Sequence, residues 1–431
     1  MSWLIMIAIL AAAVSSGVWL GVALGITGVV ILFVYAGSGA LQLIASASFS
    51  TLNSYTLIAM PLFVFMGEVL VFSGVSNKMY SAFTPFFSRF PGKLLLTNVF
   101  VCSIFGAMCG SSMATAAAVG SVAYPELDKR GYDRSTVVGS LAGAGTLGLL
   151  IPPSIQLIVY GAWEGLSVGQ LFIAALVPGI MMALMFMVFI GVKSLLQPGI
   201  APSGEGKVSW IRAILNTKDA WPALVLIFSI LGTIYLGIAT ATEAAGIGAI
   251  VAILLAIVFR NFRFKAMFQA LLATARLMGI IGFIIIGASI LATSISIIGL
   301  PRQLVLLVAE AGLPPVVVLI LIYVMYAALG CFFDALSMML MTLPFTFPLI
   351  VNLGYDPIWF GIVTVMVIEM GQITPPVGVN LYVLQGITKG EVSIGEIALA
   401  SLPYFLMLAL GLAIITLFPQ ICLWLPSMRA F

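Results

Sequence analysis

Two short stretches join residues that rarely meet in so apolar a chain. Cys109-Gly110-Ser111-Ser112 interrupts the run from Leu94 to Tyr124, and Ile151-Pro152-Pro153-Ser154 interrupts the run after it. Further on, Phe333-Asp334-Ala335 and Gly371-Gln372-Ile373-Thr374-Pro375-Pro376 do the same. Proline removes a helical hydrogen bond and clashes with the preceding turn, so a pair of them frees several backbone carbonyls. Such carbonyls, with Ser and Thr hydroxyls, form the hard oxygen shell a small alkali cation prefers. A half-helix that restarts after the break turns N–H groups and a positive dipole end toward the gap, which suits an anion. Bond-making chemistry has no such support. Histidine is absent, and there is no phosphate-binding GxxxxGK[ST], paired acid and base or nucleophile triad, so the expectation is that the chain is not an enzyme.

The four stretches are two copies of one pattern. Gly131-Tyr132-Asp133 returns as Gly354-Tyr355-Asp356, Pro152-Pro153 as Pro375-Pro376 and Pro125 as Pro348, all 223 residues apart. Ser167-Val168-Gly169-Gln170 returns as Ser393-Ile394-Gly395-Glu396, 226 residues on. Four matches in order at nearly one offset indicate an internal duplication. Breaks at corresponding places in two apolar halves point to a transporter site at the repeat interface.

The elements that must position these residues lie in lipid. The chain has 431 residues, 62% hydrophobic and 7% charged, with a mean hydropathy of +1.25. Long unbroken apolar runs indicate spanning helices and not a barrel of alternating strands. The expected fold is an all-α polytopic membrane protein. The net charge of +3 is no nucleic-acid signal, because the basic residues sit in short loops. Cys102, Cys109, Cys331 and Cys422 lack metal-ligand spacing and read as small buried residues. The N-terminal run lacks a basic leader and reads as the first membrane element.

In chain order, residues 3–35 read as a long helix with its weak point at Ser15-Ser16-Gly17, and 36–55 as an external connection. A span over 56–74 precedes an amphipathic arm over 75–93. Residues 94–124 read as a re-entrant hairpin with its tip at 109–112. Lys93, Lys129, Arg130 and Arg134 flank its base and place it in the cytoplasm. A broken crossing over 135–163 and a return over 170–192 follow. Lys193, Lys207, Arg212 and Lys218 mark a cytoplasmic loop, and Arg260, Arg263 and Lys265 another, on either side of spans at 221–238 and 243–259. The second copy has an arm over 299–313, a hairpin over 315–351 and a broken crossing over 357–387. Its hairpin base carries no Lys or Arg and is read as external, so the duplication is inverted. Lys389 lies inside, and 396–424 cross outward. This divides the chain into scaffold and first arm (1–93), first hairpin and broken helix (94–163), scaffold and second arm (164–313), second hairpin and broken helix (314–395), and a C-terminal scaffold helix (396–431).

Each hairpin tip should face the broken helix of its own copy. In the first, Gly110, Ser111, Ser112 and Thr115 should meet Gly145, Thr146, Ile151, Pro152 and Ser154. In the second, Asp334 and Ser337 should meet Gly371, Thr374, Pro375, Gly378 and Asn380. The cation oxygens are assigned to Gly110, Ser111, Ser112, Gly145, Thr146 and Pro152 at one site and to Asp334, Gly371, Thr374 and Pro375 at the other. Ser112, Thr115, Ser154, Ser337, Gly378 and Asn380 are left to the anionic substrate. A helical Thr such as Thr115 also commonly bonds its own backbone. Of the acids near spans, Glu68, Glu243, Asp334 and Glu369, the tip residue Asp334 is the strongest candidate. Glu369 stands ready to balance cation charge, and Glu68 and Glu243 equally suit interface positions.

At these residues the chain resembles the large membrane (M) subunit of tripartite ATP-independent periplasmic (TRAP) transporters, within the wider ion transporter superfamily. The likeness runs nearly the full length and is carried by GSSMATAAAVGS, LIPPSIQLIVYG, LSVGQLFIAALVPG and ITPPVGVNLYVLQG. It implies an inverted-repeat elevator fold with two re-entrant hairpins and two discontinuous helices in the bacterial inner membrane. It implies sodium as coupling ion and import of an organic acid anion delivered by a periplasmic binding protein (P type). It also implies a small membrane subunit (Q type), expected here as a separate chain. A stand-alone sodium/anion symporter and a non-transporting scaffold are the competing expectations.

Overall fold

The computed structural model describes residues 2–202, 216–258 and 262–428. Lys207, Arg212 and Arg260, used above to place loops, lie outside them. Among the described residues seven helices are long and apolar enough to cross a bilayer, and the chain is an all-α polytopic membrane protein.

The first copy opens with α1 (Ser2–Ser15) and α2 (Leu20–Ala36), parted where Gly17 takes a left-handed φ of 77°. The stretch expected as an external connection is instead helix α3 (Ala40–Leu52). Its alanines and leucines favour a helix, and its hydroxyls are absorbed: Ser48 and Thr51 donate to the carbonyls of Ile44 and Ala47, each at 2.8 Å. Next come α4 (Ala59–Phe72) and the arm α5 (Val75–Phe87), set at 72° to the span before it. The hairpin is α6 (Leu94–Cys109) and α7 (Ser112–Lys129), and the broken crossing is α8 (Arg134–Leu150) and α9 (Ile155–Glu164). α10 (Val168–Leu196) closes the copy.

The second copy repeats this order. α11 (Trp221–Tyr235), α12 (Ala241–Val258) and α13 (Phe264–Ile297) lead to the arm α14 (Leu300–Glu310). α15 (Pro315–Gly330) and α16 (Ala335–Asn352) form the hairpin, and α17 (Pro357–Gln372) and α18 (Val379–Ile387) the broken crossing. One 34-residue helix, α13, stands where the first copy has α3, a turn at Asn53 and α4. The last crossing, expected as one run over 396–424, is α19 (Ile394–Leu417) and a short α20 (Gln420–Ser427). Pro419 holds Phe418 out of the helical region, at φ −125°, ψ 72°.

The 16-residue limbs α6 and α15 are about 24 Å long at ~1.5 Å per residue, short of a ~30 Å hydrocarbon core. They turn back where they stop, as re-entrant elements do. Their bases lie at opposite ends of the bundle. At the first base Arg134 pairs with Asp128 at 2.6 Å and reaches Glu391, in the loop between α18 and α19, at 3.4 Å. At the other end Tyr160, near the close of α9, donates to the carbonyl of Pro357 at 2.7 Å, and Trp359 donates to Ile415 at 2.9 Å. Since α8 starts at the first base and α9 ends beside the second, the hairpins enter from opposite faces, as the charges required.

α8 lies at the centre, with every residue from Thr136 to Leu150 buried among α6, α7, α10 and α19. α2, α3 and α4 pack on α13, and α12 packs on α4, forming a frame beside the hairpins. α10 and α19, grouped with the scaffold in the sequence, pack on the broken helices α8 and α17.

Candidate ion and substrate site

Both tips close on their own broken helix through two similar contacts, each within one or two residues of the repeat register. In the first copy the amide of Ile155, which opens α9, donates to Gly110 at 3.4 Å; in the second, Val377 donates to Cys331 at 2.9 Å. Close to each of these bonds, glycine also faces glycine. A Cβ on Gly106 would lie 2.6 Å from the Cα of Gly148, and one on Gly330 would lie 2.7 Å from the Cα of Gly371. Either distance is shorter than a real Cβ allows, so only glycine lets these backbones meet. Gly106, Gly148 and Gly330 escaped the sequence reading, although Gly148 and Gly371 stand at the repeat offset of 223.

Carbonyls are freed as expected. Pro152 and Pro153 have no N–H to offer the carbonyls of Gly148 and Leu149, and Pro376 has none for Gln372. The Gly371 carbonyl is retaken by Thr374 N at 3.1 Å. Gly110, with φ of 63°, turns the chain at the first tip, and its Cα faces the carbonyl of Pro153. Gly145 approaches the Ser112 carbonyl, and Gly148 the Ser111 carbonyl and Thr115 hydroxyl.

The hydroxyls are partly committed. Thr115 donates to Ser111 at 2.7 Å, Thr146 to Gly143 at 2.6 Å and Thr374 to Met370 at 2.7 Å. Each keeps acceptor lone pairs on its oxygen. Ser111 and Ser154 cap α7 and α9, accepting from Ala114 and Leu157 at 3.4 Å. Asp334 does the same for α16, its Oδ2 accepting from Ser337 at 3.1 Å. Part of the reason for an acid at this tip is thus helix capping. The second tip meets its break through Gly330 and Cys331.

Several polar atoms near the breaks have no hydrogen-bond partner among the described residues. They are the Ser337 hydroxyl, both amide atoms of Gln156 and Asn380, Gln372 Nε2 and both carboxyl oxygens of Glu369, all on buried side chains. Leaving such groups unmet is costly unless a ligand or water meets them. Gln156 was missed in the sequence because it carries no charge. Glu243, by contrast, is explained by capping, since its carboxylate accepts from the amide and hydroxyl of Thr240, each at 2.8 Å. The half-helices interlock: α18 packs on α7 and α9 on α16, so each reaches the other copy's hairpin.

Two oppositely inserted hairpins closing on two broken helices define a membrane transporter of the inverted-repeat class. The chain belongs to the tripartite ATP-independent periplasmic transporter family as its DctM component, whose family model matches residues 6–421. It is 34% identical over 405 residues to the C4-dicarboxylate TRAP transporter large permease protein DctM of Pseudomonas aeruginosa, covering 94% of this chain and 93% of that one. It is 28% identical to the isethionate TRAP transporter permease protein DctMQ of Oleidesulfovibrio alaskensis, over 94% of this chain but 63% of that protein. The crystal structure of the Alcanivorax borkumensis YdaH transporter has the same fold at a TM-score of 0.64, with 15% identity, 91% of this chain and 90% of that one covered.

Proposed function

We propose that this chain imports a small organic acid anion, a carboxylate or a sulfonate, together with sodium ions across a bacterial inner membrane. A periplasmic binding protein delivers the anion, and a small membrane subunit on a separate chain completes the transporter. Related permeases are named for a dicarboxylate and for a sulfonate, which supports that substrate class. The observation that carries the reading is the pair of matched closures, Ile155 on Gly110 and Val377 on Cys331. Each brings a tip onto a proline break, which supports a site where freed carbonyls and a half-helix N-terminus meet the cargo. Oxygens from Gly110, Ser111, Ser112, Gly145, Thr146 and Pro152 hold one sodium ion as cargo, and those from Asp334, Gly371, Thr374 and Pro375 hold the other. Ser112, Thr115, Ser154, Ser337, Gly378 and Asn380 face the anion. The hairpins and broken helices, with α10 and α19 packed on them, move as one body against the frame of α2–α4 and α11–α13, which is an elevator.

The test is uptake into proteoliposomes holding this chain and the small subunit, with the cognate binding protein and its labelled ligand outside. An inward sodium gradient should drive accumulation, and an equal potassium gradient should not. Equal uptake in both would remove the coupling, and uptake without binding protein would identify a stand-alone symporter.

A further inference from the structure

The two tips differ in charge. The second carries Asp334, whereas the first, Cys109-Gly110-Ser111-Ser112-Met113, carries no acid. A cation held at the first tip by carbonyls and hydroxyls alone would lie in the apolar centre of the bundle without a counter-charge. Bare charge in such a place is costly.

The missing charge is present on the other copy. Glu369 sits on α17, three residues before Gln372 and hence on the same helix face. It is 1% exposed, and among the described residues neither carboxyl oxygen has a hydrogen-bond partner of good geometry. Ser112, the first residue of α7 at the first tip, lies near this carboxyl. Ser112 is itself 2% exposed. An enclosed carboxyl group with unpartnered oxygens, beside the one tip that lacks an acid, is half of a cation site.

We infer that Glu369 supplies the carboxylate of the first cation site, completing across the repeat boundary a shell whose other oxygens come from the first hairpin. Sodium at this site then bridges α7 of one copy and α17 of the other, so its binding ties the two halves of the moving body together. Asp334 serves its own tip from within its own copy. This inference rests on the sodium-coupled reading above.

Sodium binding can be read without transport, as the rise in melting temperature of the purified chain, with its small subunit, titrated with sodium chloride against choline chloride. Glu369→Gln keeps the shape and removes the charge. It should raise the sodium concentration at the midpoint by about tenfold, the loss expected for one charge-bearing contact. Ser112→Ala should shift the midpoint the same way, and the double variant by less than the product of the two shifts, because both act on one ion. Should Glu369→Gln fail to fold, Glu369→Asp, with its carboxylate drawn back, should still raise the midpoint. A folded Glu369→Gln variant with the wild-type midpoint overturns the inference and leaves sodium coupling intact. A wild-type chain that sodium does not stabilise over choline overturns the coupling itself.

Discussion

The two breaks are copies in sequence but not in setting. Ile151-Pro152-Pro153-Ser154 is buried throughout, closed in by α6, α7 and the rest of the bundle. Its counterpart leaves Pro375 and Pro376 exposed, and the facing tip exposes 62% of Phe332. The first tip is capped by a hydroxyl, the second by a carboxylate. A duplicated element has thus become one sealed joint and one open joint.

The comparison is tested most sharply at the glycines of the two closures. A Cβ at Gly148 would lie 2.5 Å from Thr115 Oγ1 and 2.8 Å from the Ser111 carbonyl, within a fully buried joint. Gly148→Ala should cost about 3 kcal/mol, the upper part of the range for overpacking, and abolish uptake. Gly371→Ala meets the buried Gly330 backbone at 2.5 Å, but the tip just beyond it is exposed at Phe332, which leaves room to shift, so about 1–2 kcal/mol is expected. Thermal melting of both variants checks the order, and an equal or reversed ranking would show that the second joint is as rigid as the first.

The natural cysteines probe the same difference without mutation. Cys109 at the first tip is 4% exposed and lies 3.1 Å from the Thr115 hydroxyl, whereas Cys331 at the second tip is partly exposed. A maleimide should label Cys331 at least about tenfold faster than Cys109, with Cys331→Ser as the control and mass spectrometry as the readout. Comparable rates would mean that the first joint opens as readily as the second.

Much of this was legible because its signals are local. Paired prolines announce breaks wherever they fall, and Lys and Arg in short loops fix which face a hairpin enters. The turn at Gly17 and the first tip followed from glycine and consecutive hydroxyls. The hydroxyls in 36–55 misled, because Ser48 and Thr51 bond back within α3 and hide their polarity. The capping role of Asp334 was available but unread: Asp334 stands 223 residues after Ser111, at the same offset as the other matches, so the acid occupies the place of a serine cap. The approach of Ser112 to Glu369, and the packing of α18 on α7, bring together residues more than two hundred positions apart on different copies. No spacing rule within one copy contains them.

Asp334 separates capping from charge. Asn is as good a cap as Asp, so Asp334→Asn should leave stability within about 0.5 kcal/mol while raising the sodium needed for half-maximal uptake. If Asp334→Asn transports with the wild-type sodium dependence, the carboxylate is a cap alone and the two tips differ in exposure only.

The smallest expected difference lies where each copy starts its closing helix. Ser393 accepts from Glu396 N at 3.3 Å, and Glu396 Oε2 accepts in return from Ser393 N at 2.8 Å, which completes a capping box for α19. In the first copy Ser167 accepts from Gln170 N at 3.3 Å, and no return bond closes among the described residues. Ser393→Ala removes the acceptor of Glu396 N and the hydroxyl that donates to Glu396 Oε2 at 2.9 Å, while the backbone bond from Ser393 N stays; Ser167→Ala removes the acceptor of Gln170 N alone. Ser393→Ala should lower the melting temperature more than Ser167→Ala, and Gln170→Glu, which offers the first copy the missing carboxylate, should raise it slightly. These caps lie in solvent at the ends of α10 and α19, away from both joints, so uptake per folded molecule should stay at the wild-type level in all three variants. A loss of uptake in Ser393→Ala without a matching loss of folded protein would connect the start of α19 to the motion of the open joint.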